Sequence, residues 1–405
     1  MPAVFPFAAF RPSAEALSEV HCAPYDTMNR AEALAMVEGK PASFLHVDRP
    51  DIHFPAEADA HAPEVYRRAR IELDRLLEEG SLQKDIIPVF SIYRQTMNGR
   101  QQTGLVSTVL AADYASGVIK RHEFTRPDKE DDRVAHIDAT GCQCSPVFLA
   151  YRSRDDLDAL IAAPEMTPPG VDFVDDLGVR HELWIVEDAE KSAQISVGFG
   201  AIERFYVADG HHRSAAAVRI ADAHPESQAA QRFLTVTFPH NQLYVMDYNR
   251  FIHDLNGSSE KQFRALLEAH FDISSGEGSP EKARSFGMFL NGSWYRLSAK
   301  THTYADLPVV EALDVAILQR FVLQPLLGID DPRRSSRIEF IGGIRGMNEL
   351  EGKVKSRPGS VAFAMFPTSM NELLDVADDD AIMPPKSTWF EPKLRSGLFL
   401  NPVLM

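Results

Sequence analysis

The segment FYVADGHHRSAAAVRIAD, residues 205–222, contains an apolar run, a glycine and an alanine-rich run in immediate succession. Its first four residues are apolar and include β-formers, which predicts a buried strand. Gly210 ends that strand, because glycine adopts backbone angles that other residues avoid. The alanine-rich run predicts a closely packed helix, which ends before His224 and Pro225. The segment therefore predicts a strand, a tight turn and a helix N-terminus.

This predicted turn has the features of an anion site. Free N–H groups and the helix dipole both favour negative charge at a helix N-terminus. Arg213 adds a cation with a bidentate donor fork, and His211 and His212 titrate near neutral pH. A surface turn with an ordinary helix cap is the alternative. One carboxylate, two imidazoles and a guanidinium within five residues favour a functional site.

Composition limits the classes of function. The chain has 42 Lys and Arg against 58 Asp and Glu, a formal net charge of −16, which argues against nucleic-acid binding. Its three cysteines do not form a disulfide framework and indicate a reducing compartment. The N-terminus lacks the basic region of a signal peptide, and no apolar run is long enough to span a bilayer. We expect a cytoplasmic protein without membrane partners.

The length of 405 residues is enough for two or three domains. Strand and helix signals predict an α+β protein, with hairpins at Asn98-Gly99 and Asn291-Gly292. We expect residues 1–245 to form a domain with the phosphate site, and residues 246–380 a second, smaller α+β domain. Residues 381–405 would form a tail that returns to the site.

Two other segments concentrate polar side chains: HEFTRPDKEDDR, residues 122–133, and MPPKSTWFEPKLRSGLF, residues 383–399. The first has the composition of a solvated helix face, but its His-Glu pair follows a strand and Pro127 would begin a helix. In the second, lysines and hydroxyls suit phosphate oxygens, although its aromatic residues would also anchor the C-terminus. We expect both segments to converge on the turn. The candidate anion-binding residues are His122, Lys129, Arg133, Gly210, Arg213, Lys386, Ser387, Thr388 and Lys393.

Six segments resemble the bacterial domain-of-unknown-function family ten-fifteen, and the resemblance runs nearly from end to end. They are PYD (24–26), YRQTMNGRQQTGL (93–105), HEFTRPDKEDDR (122–133), ADGHHRSAA (208–216), DYNRFIHDLNG (247–257) and MPPKSTWFEPKLRSGLF (383–399). The segment ADGHHRSAA by itself resembles the nucleotide-site motif of the ParB/sulfiredoxin superfamily, especially its free-serine kinases. This implies a ParB/sulfiredoxin-like mixed core in the N-terminal domain.

The kinase resemblance also implies an activity: phosphoryl transfer from ATP or ADP, with Mg²⁺, to a small hydroxylated metabolite such as free L-serine. Such chemistry depends on positioning and charge neutralisation. Asp209 would bind Mg²⁺ or orient a histidine, and His211 and His212 are candidate acid–base groups. In these kinases an acidic residue from the N-terminal part of the fold receives the proton of the acceptor hydroxyl. Asp26 or Glu19 is the nearest equivalent in this sequence.

Two other classes of function stay open. A metal-dependent hydrolase would use His211, His212, Asp209 and His122, although neighbouring residues on a helix diverge by about 100° and rarely reach one metal. A non-catalytic regulator would bind nucleotide at the same turn. The sequence also leaves the oligomeric state open, with a homodimer among the options.

Overall fold

The computed structural model describes residues 1–162 and 167–405. Two compact units divide the chain: Met1–Leu243 with Pro392–Met405, and Tyr244–Glu391. The C-terminal tail is therefore split, because its residues from Pro392 onward belong to the first unit. Within the described ranges, no helix has both the length and the apolar character needed to cross a membrane.

The first unit is built on a mixed sheet of nine strands. Two strand pairs are parallel, Phe205–Asp209 with Ile119–Lys120 and Arg232–Pro239 with Val147–Tyr151. Val147–Tyr151 is buried along its whole length, as its continuous apolar sequence requires. The strand order is Ile119–Lys120, Phe205–Asp209, Val147–Tyr151, Arg232–Pro239, Arg100–Leu110, Phe90–Met97, Arg180–Val186 and Val171–Val174, and Val4–Phe5 also pairs with Arg100–Leu110.

Helices and two short strand pairs complete this unit. The helix Pro127–Thr140 begins at Pro127 as predicted, because proline at the first helical position removes an N–H that would have no partner. The short pairs are Phe10–Pro12 with Leu82–Lys84 and Cys142–Gln143 with Asn401–Pro402. The α-helices are Leu17–Val20, Arg30–Val37, Leu45–Asp48, Pro63–Glu78, Ala111–Ala115, Pro127–Thr140, Asp155–Ile161, Ala189–Gly200 and His211–Ala223, with 3-10 turns at Tyr25–Thr27, Pro50–His53 and His240–Gln242.

The second unit contains a six-stranded antiparallel sheet. Its strand order is Phe271–Ser275, Ser293–Ala299, Ser285–Leu290, Val361–Met365, Tyr248–Ile252 and Ile338–Gly342. Tyr244–Met246 pairs separately with Trp389–Glu391. The α-helices are Glu260–Leu267, Asp314–Leu318, Met347–Ser356 and Met370–Asp378, with a π-helical turn at Gln319–Leu323 and 3-10 turns at Thr301–Thr303 and Gly343–Arg345.

The predicted α+β class is confirmed by a mixed sheet in one unit and an antiparallel sheet in the other. Both predicted hairpins are also present. Asn98, Gly99, Asn291 and Gly292 all have positive φ, the conformation that the tightest hairpin turns require. The strands on either side of each turn pair antiparallel.

Candidate active site

Gly210 alone separates the strand Phe205–Asp209 from the helix His211–Ala223. Its φ of 99° and ψ of 32° lie in a left-handed region that side chains disfavour. A Cβ atom at this position would lie 3.0 Å from Cζ of Arg213. The backbone conformation therefore favours glycine, and a side chain at this position would also displace the Arg213 guanidinium. The turn leaves the first N–H groups of the helix without intrahelical partners.

A register shift at the end of the strand sets the orientation of the Asp209 side chain. Val207 pairs with Leu149, but Asp209 pairs with Phe148, so the strand register shifts between them. Such a bulge bends a strand and redirects the side chains next to it. The residues before Asp209 are buried, whereas its own side chain is 34% exposed. A ligand at the helix N-terminus would therefore have access to this carboxylate.

Two cations neighbour the Asp209 carboxylate. Nζ of Lys393 donates to Oδ2 at 3.0 Å, and Nη2 of Arg213 lies 3.9 Å from Oδ1. Burial raises the pKa of Asp209, but the charges of Lys393 and Arg213 outweigh burial and hold that pKa well below its ordinary value. Asp209 is therefore ionised at neutral pH. One negative and two positive charges thus lie at the helix N-terminus.

The C-terminal tail supplies Lys393 to this group. The carbonyl of Lys393 accepts a hydrogen bond from Nε2 of Gln95 at 2.9 Å, which fixes the backbone of the lysine. The other tail candidates, Lys386, Ser387 and Thr388, belong to the second unit. There Nζ of Lys386 lies 5.8 Å from the ring centre of Tyr248. A role for those three residues at the turn stays a prediction.

Arg133 and Arg213 line the same small internal cavity, of about 30 Å³. Arg213 donates to the carbonyl of Pro146, and the guanidinium of Arg133 lies 3.7 Å from the ring centre of Tyr25. Nη2 of Arg133 also donates to Asp132 at 2.6 Å. A cavity of this volume has room for about two water molecules. The cavity is therefore too small to hold a nucleotide.

His212 faces a different group of side chains. Its Nε2 accepts the backbone N–H of Arg126 at 3.1 Å, next to the start of the helix Pro127–Thr140. Burial lowers the pKa of His212, the charge of Asp26 raises it, and that of Lys129 lowers it. Asp26 and Lys129 are both exposed. Asp26 and Lys129 are therefore each close enough to the partly buried His212 for their charges to act on it.

His211 and His122 form a buried pair. Their ring centres are 4.5 Å apart and their planes meet at 88°. The two side chains are only 5% and 2% exposed. Burial lowers the pKa of both imidazoles, that of His122 to about 4, so both rings are neutral at pH 7. His211 and His212 thus have different partners, which argues against a metal held by that adjacent pair.

A second cavity, of about 170 Å³, lies in the same unit and is lined by charged side chains. Arg395 is one of the lining residues: its Nη1 lies 3.3 Å from Oδ2 of Asp175, and its Nη2 lies 3.3 Å from Oδ1 of Asp176. Glu19 also lines this cavity. Since Arg395 follows Lys393 by two residues, their Cα atoms are at most about 7 Å apart. The same short segment of the tail therefore supplies one cation to the Asp209 group and another to the cavity.

Sequence reasoning missed most of this second cavity. Its lining comes from three distant parts of the chain, residues 18–45, residues 173–176 and Arg395. None of these parts has a recognisable spacing of catalytic residues. Two features of the sequence could have indicated this cavity. Glu19 was already a candidate general base, and cations are concentrated in the C-terminal tail.

A pH dependence of stability follows from Asp175. Burial raises its pKa, but hydrogen bonds from His181 and Val179 and the charge of Arg395 lower it from 3.8 to about 2. A carboxyl group with a lowered folded-state pKa stabilises above its unfolded pKa, and this stabilisation is lost as the pH falls toward 2. The difference corresponds to about 2 kcal/mol.

We therefore expect Asp175→Asn to destabilise the protein more at pH 6 than at pH 2.5. Urea unfolding of both proteins at the two pH values measures this difference. Asp172→Asn is a control, since Asp172 pairs with Arg180 at the surface with its side chain 41% exposed. An equal loss of stability for Asp175→Asn at both pH values would contradict the assignment.

A family model described as "Protein of unknown function (DUF1015)" matches residues 4–316, more than three quarters of the sequence. The chain belongs to this family. The match includes the Gly210 turn and the His122 segment, and it confirms the resemblance found in the sequence. The matched range covers most of the first unit and continues into the second unit as far as residue 316. Among curated proteins we found no match.

Solved structures give distant matches to this DUF1015 chain. SbnI with a C-terminal truncation, from Staphylococcus aureus, is 13% identical, with 73% of this chain and 87% of SbnI covered and a TM-score of 0.40. A conserved hypothetical protein from Pyrococcus furiosus is 13% identical, with 72% and 93% covered and a TM-score of 0.35. A free serine kinase in complex with AMP is 12% identical, with 70% and 86% covered and a TM-score of 0.36.

Proposed function

We propose that this protein is a phosphotransferase that uses ATP or ADP to phosphorylate a small hydroxylated metabolite, on a ParB/sulfiredoxin-like core. The observation that supports this most directly is the group at Gly210. An open helix N-terminus, Arg213 and Lys393 surround one ionised carboxylate, Asp209. These are the parts that phosphoryl transfer needs, since it depends on positioning and on neutralising charge.

The phosphates of the nucleotide would bind at the helix N-terminus. Backbone N–H groups and the helix dipole favour anions there. Lys393 is 21% exposed, so a phosphate oxygen has access to its ammonium group. The net charge of −16 makes most of the protein repel an anion. Two cations at one turn therefore provide a local site that attracts an anion.

Asp209 fits the role of a magnesium ligand. Mg²⁺ at nucleotide sites is usually held by one or two carboxylates together with phosphate oxygens. Asp209 is ionised and partly exposed, and its Oδ1 would be the binding atom because Oδ2 accepts from Lys393. When bound, Mg²⁺ supplies charge neutralisation at the transferred phosphoryl group. Lys393 and Arg213 would hold and orient the same phosphate.

The cavity of about 170 Å³ is the proposed acceptor site. Pockets for drug-sized ligands measure roughly 300–1,000 Å³, so this cavity suits a single small metabolite. Glu19 would receive the proton of the acceptor hydroxyl there, and Asp26 with His212 is the other candidate base. We propose free L-serine as the first acceptor to test, from the resemblance of ADGHHRSAA to the free-serine kinases.

The activity is tested by incubating the purified protein with L-serine, Mg²⁺ and either ATP or ADP, and following O-phosphoserine. We expect O-phosphoserine to form with at least one of the two nucleotides. One of the two variants Glu19→Gln and Asp26→Asn should lose turnover, and that variant identifies the general base. If the protein binds the nucleotide but does not consume it, either with serine or with other hydroxylated metabolites, the kinase proposal is wrong. The protein would then be assigned as a non-catalytic nucleotide-binding regulator.

Arg213→Ala is expected to weaken nucleotide binding by roughly 1.5–3 kcal/mol, or about 10- to 150-fold, as for a lost charged hydrogen bond. Isothermal titration calorimetry with ADP measures the change. Arg219→Ala is a matched control on the same helix, because Arg219 is 43% exposed and pairs with Asp131. If both variants bind ADP as tightly as the unmodified protein, the nucleotide does not bind at this turn.

A further inference from the structure

A second chemistry is suggested by three side chains next to the turn: His122, Glu123 and His211. One ligand atom from each lies within 4.8 Å of those from the other two. We propose that these residues bind a divalent first-row transition metal ion, with Zn²⁺ the first to test. This site is independent of the phosphotransfer proposed above, and its donors differ from the oxygen ligands that Mg²⁺ prefers.

The fold brings the two histidines together. The strand Ile119–Lys120 runs parallel to Phe205–Asp209 and beside it, with Phe205 opposite Ile119. Residues that follow two adjacent parallel strands emerge at the same edge of the sheet. His122 and Glu123 follow the first strand, and His211 follows the second after the Gly210 turn. The juxtaposition therefore follows from the parallel pairing of these two strands.

Two buried nitrogen atoms point to a missing ligand. Nδ1 of His122 and Nε2 of His211 are buried and have no hydrogen-bond partner among the residues described. Buried polar atoms in native proteins nearly always have partners, and an unsatisfied one costs roughly 1–3 kcal/mol. No other histidine in the described ranges has such an atom. Both atoms belong to the same pair of contacting rings.

The protonation of His122 also suits a metal ligand. Its ring makes a hydrogen bond to the backbone of Val207. Because Nδ1 has no partner, Nε2 makes that bond, and Nε2–H must donate to the Val207 carbonyl. Nδ1 is therefore left with a lone pair that faces the site. Metal-binding histidines commonly donate their other ring N–H to a carbonyl in this way, which fixes the ring orientation.

The donor set narrows the choice of metal. Two imidazoles and one carboxylate suit zinc and iron. Tetrahedral zinc at about 2.0–2.1 Å from each donor places its ligand atoms about 3.3 Å apart. The separations of up to 4.8 Å would therefore close by at most about 1.5 Å on binding. Three protein ligands leave a position open, as in catalytic rather than structural zinc sites.

The test uses the full chain, stripped with a chelator and titrated with Zn²⁺ and, as a spectroscopic probe, Co²⁺. We expect each chain to bind one metal ion tightly and to melt at a higher temperature with the metal bound. The Co²⁺ form should show the absorption bands of tetrahedral Co²⁺. Glu123→Gln and His211→Asn should each weaken binding at least tenfold. Glu123→Gln keeps the test decisive if a buried histidine variant fails to fold, because Glu123 is only partly buried.

Two control variants separate this site from adventitious binding. His212→Asn removes the neighbouring imidazole, which is not part of the proposed site because its Nε2 accepts the backbone N–H of Arg126. His302→Asn breaks the exposed pair in which Nε2 of His302 lies 3.1 Å from Nδ1 of His270. Neither control variant should change the affinity for the one tightly bound metal ion. Metal binding that is lost in His302→Asn and kept in Glu123→Gln and His211→Asn, or no tight binding at all, would overturn the proposal.

Discussion

Asp209→Asn is expected to lower phosphoryl transfer by roughly a hundredfold, about 2.7 kcal/mol of barrier, while nucleotide binding is retained or tightened. The substitution removes the negative charge that would hold Mg²⁺ and keeps the shape of the side chain. It also removes the negative charge that faces the ammonium group of Lys393, which donates to Asp209 at 3.0 Å, and so strengthens the attraction of this turn for phosphate. Initial rates and ADP titrations on the same preparations measure both effects.

The opposite directions of these two effects distinguish catalysis from binding. Lys393→Met is the paired variant, because it removes a cation from the same ion pair and should weaken ADP binding. If Asp209→Asn reduces binding and turnover equally, Asp209 acts by supporting the turn, and its proposed role with Mg²⁺ is wrong. Unchanged turnover in Asp209→Asn would remove the carboxylate from the chemistry altogether.

Gly210→Ala is expected to lower nucleotide affinity by roughly a hundredfold or more and to destabilise the fold by about 1–3 kcal/mol. The left-handed φ of 99° strains any side chain, and the new Cβ would lie 3.0 Å from the Arg213 guanidinium. Arg213 would have to move, and the N–H groups of the turn would move with the backbone. Calorimetric ADP titration and urea unfolding measure the two losses.

Gly117→Ala is the matched control for strain alone. Gly117 has a φ of 78°, and a Cβ there would meet no atom within 4 Å. We expect a stability loss of about 1–2 kcal/mol with ADP affinity unchanged. Equal loss of ADP affinity in both variants would mean that reduced stability, and not the geometry of the turn, causes the effect at Gly210.

The local parts of the site could be predicted from neighbouring residues. The turn at Gly210, the helix start at Pro127 and the hairpin at Asn98-Gly99 each depend on the backbone preferences of one or two residues. Such preferences act over a few residues, so the sequence states them directly. The polar residues of the segment 208–216 also predict a phosphate site, which stays a prediction.

The partners of those residues could not be predicted in the same way. Lys393 reaches Asp209 across 184 residues of chain, and His122 meets His211 because two short strands are parallel neighbours. Periodicity identifies a strand without giving its place in the sheet. The tail also appeared as one element, whereas the structure divides it after Glu391.

By itself, the sequence determined the family, the α+β class and the conformation of the Gly210 turn, because these follow from local residue preferences and recognisable segments. Only the tertiary structure decided which side chains surround Asp209 and which nitrogen atoms stay without partners. Those contacts depend on strand order, and strand order is set by burying apolar faces from distant parts of the chain at the same time.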